Sequence, residues 1–152
     1  MAVSLARPSL GRASFALLGL MLSGCASGLQ CAPYARSVTG LPLTGPASGW
    51  WNQSEGRFIH ADRPVPGAVL VLRATGRLPD SHVSVVRAVL GPRRIVVEQA
   101  NWEPGRIDRA SPVLDVSAAN DWSLVRVWWR PSGSIGRTTY PAYGFIVPQS
   151  PS

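Results

Sequence analysis

The turn Gly91-Pro92-Arg93-Arg94 constrains the fold of this chain more than any other stretch. It separates residues 82–89 (His-Val-Ser-Val-Val-Arg-Ala-Val) from residues 95–102 (Ile-Val-Val-Glu-Gln-Ala-Asn-Trp). Both runs are rich in β-branched side chains, and a tight turn between two such runs predicts an antiparallel hairpin. An apolar run at residues 67–73 predicts a strand before the hairpin. Residues 123–130 and 143–147 predict two strands after it, with a short extra strand at 113–116. Residues 50–56 predict one or two helical turns. The Gly- and Pro-rich stretches 37–49 and 60–66, and most of 103–120, predict loops. Further upstream, Pro33 follows closely on Cys31, and proline belongs in the first turn of a helix. Helix first, then a meander of strands, gives an α+β class: an N-terminal helix or helices packed on an antiparallel sheet of about five strands.

That placement gives Cys31 a chemistry. Unpaired N–H groups and the dipole at a helix N-terminus favour negative charge, so the thiol is expected to lose its proton easily. A thiolate nucleophile needs a base, and the base needs an orienting group. Of the two histidines, His82 opens a strand directly after Pro79-Asp80-Ser81, at a sheet end, whereas His60 lies in a loop. His82 is the better base. The next strand offers Glu98, Gln99 and Asn101 as orienting residues. Side chains alternate along a strand, so Gln99 and Asn101 share a face and Glu98 points the other way. Periodicity alone leaves the choice open. Cys31, His60 and His82 supply too few soft ligands for a metal site, and no cofactor is expected.

The N-terminus reads as an export signal over residues 1–24, with Arg7 and Arg12 before a short apolar run at 13–22. Leu22-Ser23-Gly24-Cys25 resembles the bacterial lipoprotein box, which implies lipidation of Cys25 and a mature domain over 25–152. The expected location is then the periplasmic side of a bacterial membrane, held by the lipid anchor. Ordinary cleavage near 26–28, giving a secreted protein, and a Cys25–Cys31 disulfide are the alternatives. The formal net charge is +7 and all 15 basic residues are arginine. The charge is scattered, without a basic helix or an aromatic RNA-binding signature, which argues against nucleic acid. A basic surface suits an anionic wall polymer or membrane surface.

Cys31-Ala32-Pro33-Tyr34-Ala35-Arg36, Trp50-Trp51, Pro66-Gly67-Ala68-Val69, His82-Val83-Ser84-Val85-Val86 and Glu98-Gln99-Ala100-Asn101-Trp102 together resemble the CHAP domain, the cysteine, histidine-dependent amidohydrolase/peptidase family. The resemblance covers residues 30–102 well and the C-terminal third weakly. It implies a papain-like fold, Cys31 as nucleophile and His82 as base. The family's third residue is a Glu or Asn on the following strand. Here that favours Asn101, with Glu98 or Gln99 less favoured. The backbone N–H of Cys31, with Gln30 as neighbouring donor, is the expected oxyanion hole. For an exported bacterial chain the implied substrate is the peptide part of peptidoglycan, cleaved through a thioester. Trp50, Trp51 and Trp102 are the candidate substrate-stacking residues. A non-catalytic wall-binding module on the same fold is the alternative, and an amidase for small γ-glutamyl or polyamine amides is a third reading.

Overall fold

A computed structural model describes residues 28–148; the expected signal segment 1–24 and the expected lipidation site Cys25 lie outside the described residues. Helix α1 (Cys31–Thr39) starts at the cysteine. Pro33 fits its first turn because no intrahelical bond needs that N–H. Gly40, at φ 72°, ends it by returning its N–H to the Arg36 carbonyl. A 3-10 turn, Ala47–Gly49, leads into α2 (Trp50–Ser54). Eight strands follow: β1 (Ile59–Ala61), β2 (Val69–Leu72), β3 (His82–Gly91), β4 (Arg94–Ala100), β5 (Ile107–Asp115), β6 (Leu124–Trp129), β7 (Ser134–Ile135) and β8 (Tyr140–Val147). Among the described residues no helix is long and apolar enough to cross a membrane.

The expected hairpin is present as β3 and β4, with Val86 opposite Val97 and Val85 opposite Glu98. The sheet is larger than expected. It has eight strands rather than about five, and β2, β3, β4, β5, β6 and β8 close into an antiparallel barrel. The closing strand is β8, which pairs with β2 over residues 142–146 and with β6 through Pro141 and Tyr140. β1 adds to β8 and β7 to β6. Two differences from the sequence reading have one cause. β5 is a nine-residue strand where only 113–116 showed apolar character, and β1 falls in a region expected to be mostly loop. Both are held by pairing, β5 by its neighbours β4 and β6 on either side and β1 by β8, distant in sequence. Local composition carries no such signal.

Alternation along β2 and β3 sorts two cores. Leu70, Leu72 and Val86 point into the barrel with Ile95, Val97, Val113, Val125 and Phe145. Val69, Val71, Val83 and Val85 point outward and are covered by Ala32 and Ala35 of α1 together with Leu41, Leu43, Trp50 and Ile146. β2 is thus buried on both faces, which is why it reads as an unbroken apolar run. Small side chains on α1 let the helix lie close to the sheet.

Gly144 in β8 has φ 129°, and a Cβ there would stand 2.6 Å from the Ala61 carbonyl oxygen of β1. Gly144→Ala therefore imposes both backbone strain and a clash with main chain. Thermal unfolding should show a loss of about 2 kcal/mol or more.

Candidate active site

Cys31 is the first residue of α1, a half-buried free thiol. Gln30 before it is extended and its side chain does not cap the helix. The first intrahelical bond is the Tyr34 N–H to the Gln30 carbonyl at 3.2 Å. Pro33 has no N–H, so the orphan amides of this turn include those of Cys31 and Ala32. The N–H groups of Val83 on β3, Ala32 and Cys31 favour the thiolate. Burial nevertheless pushes the thiol pKa above its ordinary value, and the negative charge of Asp80 adds to the rise. The expectation of an easily ionised thiol is thus overturned: desolvation outweighs the helix N-terminus. Sulfur and solvent meet in a cleft of about 330 Å³, where Gln30, Cys31, Arg36, Pro46 and Asp80 form the walls.

His82 begins β3, immediately before the residue whose N–H meets the sulfur. Ser81, at φ 65° with its hydroxyl donating to the Leu72 carbonyl, turns the chain into the strand. The imidazole points toward the barrel interior and is 4% exposed. Its Nε2 lies 2.9 Å from Gln99 Oε1, and Gln99 Nε2 donates to Ser111 Oγ at 2.9 Å. An amide oxygen only accepts, so Nε2 carries the proton and Nδ1 is left with the lone pair. The Trp102 ring packs edge-on against the imidazole, centroids 4.9 Å apart. Burial lowers the His82 pKa from 6.5 to about 4, and the Gln99 hydrogen bond only partly opposes this. At neutral pH both the imidazole and the thiol are therefore uncharged.

The residue on the imidazole is Gln99, not Asn101. Extending the β3–β4 register would set Asn101 opposite His82, but Asn101 has φ 61° and leaves the strand. Its Oδ1 accepts the Gly105 N–H at 2.9 Å and closes the following turn. Gln99 shares the interior face, and its extra methylene spans the diagonal gap. Glu98 points outward, as alternation requires. It accepts a hydrogen bond from the Tyr34 hydroxyl and pairs with Arg87 at 3.4 Å and Arg109 at 3.7 Å. Its carboxylate ties α1 to the barrel and stands away from His82. Ser111, which holds Gln99, had no signal in the sequence. It stands on β5 opposite Val97, diagonal to Gln99 on the same interior face.

The remaining candidates are placed as follows. Trp50 is 0% exposed, with its Nε1 unpartnered, and so has no face for a ligand. Trp51 stacks on His60 at 3.7 Å and on Tyr143 at 5.3 Å, so both of its faces are engaged. Trp102 is half-buried, donates Nε1 to the Trp128 carbonyl and lines a second groove. His60 Nε2 sits 2.7 Å from Ser54 Oγ, but that hydroxyl donates to the Trp51 carbonyl, so His60 is the donor and cannot activate it.

The buried histidine makes a pH prediction. Between 6.5, its ordinary pKa, and about 4, its value in the fold, the unfolded chain binds the extra proton. This contribution is complete above pH 6.5 and is lost as pH falls toward 4, on the order of 3 kcal/mol in full. Urea unfolding near pH 7 and near pH 4.5 should show a larger acid loss for the wild type than for His82→Gln.

No curated protein and no solved structure matches the chain. The family model described as CHAP domain matches residues 22–101. That span contains the cysteine, the histidine and the glutamine on it, and ends where β4 gives way to the Asn101 turn. CHAP domains are papain-like and are typically hydrolases, with peptidoglycan-related amidase or peptidase activity. With more than half of its length matched, its cysteine and histidine included, the chain belongs to the CHAP-domain family.

Proposed function

We propose that this protein is a cysteine amidohydrolase or endopeptidase that cleaves amide bonds in peptidoglycan peptides through a thioester. The observation that carries this reading is the 2.9 Å bond from His82 Nε2 to Gln99 Oε1. It fixes the tautomer that leaves Nδ1 as a base, on the residue next to the sulfur's Val83 contact. Cys31 is the nucleophile, His82 the general base and acid, and Gln99 the positioning residue. The N–H of Cys31, with Gln30 alongside, is the oxyanion site.

The resting pair is neutral, so the reaction starts with proton transfer. As the Cys31 sulfur attacks the carbonyl carbon, its proton passes to His82 Nδ1. The oxyanion forms beside the helix N-terminus, where the same amides that favour a thiolate favour the new negative charge. His82 then gives the proton to the leaving amine, and the C–N bond breaks. Water adds to the thioester with His82 taking its proton, the C–S bond breaks, and the thiol is restored. Stabilisation that arises only with the oxyanion is spent on the transition state rather than on the resting enzyme.

A second reading, a wall-binding module without catalysis, is favoured by the raised thiol and lowered imidazole pKa values. Export through residues 1–24 and a lipid anchor at Cys25 complete the proposal, placing the domain on the periplasmic side of the membrane. Loss of radiolabelled lipid on Cys25→Ala would support the anchor, and its retention would sink it.

The test is a zymogram on purified wall. Wild type should clear it and Cys31→Ser should not; clearing by both, or by neither, removes the hydrolase reading. The role of Gln99 has its own readout. Gln99→Glu places a carboxylate on the imidazole and should raise the His82 pKa, moving the acid limb of kcat/KM upward from about 4. Gln99→Ala should lower kcat/KM by about 10- to 100-fold. Asn101→Ala should leave the acid limb where it is.

A further inference from the structure

We propose that the groove between the β6–β7 hairpin and the β2–β3 connection is a subsite for a free carboxylate on the peptide being cleaved. The groove encloses about 340 Å³, and among its lining residues are Arg77, Arg137, Trp102, Trp129 and Tyr140, with no acidic side chain. Among the described residues neither Arg77 nor Arg137 has an ion-pair or hydrogen-bond partner. The neighbouring Arg130 is engaged by Glu103 at 3.5 Å and Asp108 at 3.8 Å, so acids are at hand and yet leave these two arginines unpaired. Two unpaired guanidiniums on aromatic walls favour a planar anion, because the fork of donors matches a carboxylate and the rings keep water from its flanks.

Trp102 joins this groove to the chemistry. One ring edge packs on His82, centroids 4.9 Å apart, and the ring also packs on Tyr140 at 5.1 Å. Trp129 at 40% exposure offers an open face. Gly136 between them has no side chain, and a Cβ there would stand 3.0 Å from the Val127 carbonyl oxygen. Trp129, Gly136 and Arg137 also line the next recess, so the groove runs on toward β7. Trp102 packs on the buried imidazole and also lines the groove, so a peptide held at the Cys31 cleft and reaching past Trp102 would bring a carboxylate to the arginines. The identity of that chain as a wall peptide rests on the hydrolase reading; the choice of anion rests on the groove.

Binding tests this in a Cys31→Ala background, which leaves the peptide intact. Calorimetry would compare a wall stem tetrapeptide bearing free carboxylates with the same peptide amidated. The free form should bind about 10- to 100-fold more tightly, as expected for charge-assisted hydrogen bonds. Arg77→Gln with Arg137→Gln should bring the two peptides within about 2-fold of each other. Both arginines are exposed, so the melting temperature should not move. Equal binding of the two peptides, absence of binding, or discrimination that survives the double substitution would overturn the subsite. So would inorganic phosphate binding as tightly as the free peptide. The two proposals fail separately: wall clearing without discrimination sinks the subsite alone, and discrimination without clearing sinks the hydrolase alone.

Discussion

Closure of the barrel through β8 is the constraint on which the rest of this structure depends. β8 pairs with β2 along one edge and with β6 and β1 along the other, joining the C-terminal strand to the first half of the chain. Only a closed barrel has an interior in which a histidine, a glutamine and a serine can meet among Leu72, Val97 and Val113. Closure also leaves the outer faces of β2 and β3 to be covered by α1, which brings the cysteine to the start of β3. The two halves of the site therefore come from opposite faces of the same strand, the imidazole from within and the sulfur from outside.

Burial then sets the electrostatics. A histidine and a thiol withdrawn from water both favour their neutral forms, and here the local donors are too weak to reverse it. Gln99 is a neutral partner, so it orients the ring without stabilising an imidazolium as a carboxylate would. The one carboxylate near in sequence, Glu98, is turned to the other face, where two arginines and the Tyr34 hydroxyl hold it. Its work is mechanical: it links the helix that begins with Cys31 to the strand that carries Gln99.

Much of the hairpin and the location of the cysteine and histidine were legible in the chain, because each has a local signature. A turn between β-branched runs, a proline just after a cysteine and a histidine just after a turn are all short-range patterns. Glu98 facing away from Gln99 also followed from alternation. The extra strands were not legible, since β1, β5 and β7 are short or irregular in composition and are fixed by pairing, β1 with a partner far along the chain. Nor was the partner of His82. Asn101 and Gln99 share a face by alternation, and only the left-handed backbone at Asn101 removes it from the strand. The tryptophans show the same limit: nothing in Trp50-Trp51 tells that the first is sealed in a core and the second sandwiched between rings.

The sequence by itself determined which residues bear reactive groups and which short segments hold them, because helix starts, strands and turns answer to neighbours a few positions away. Tertiary structure alone decided whether the thiol is acidic, which amide touches the imidazole and which arginines stand unpaired beside an aromatic groove. Those properties depend on burial and on the approach of side chains separated by tens of positions, and they take their values only once β8 has closed the barrel.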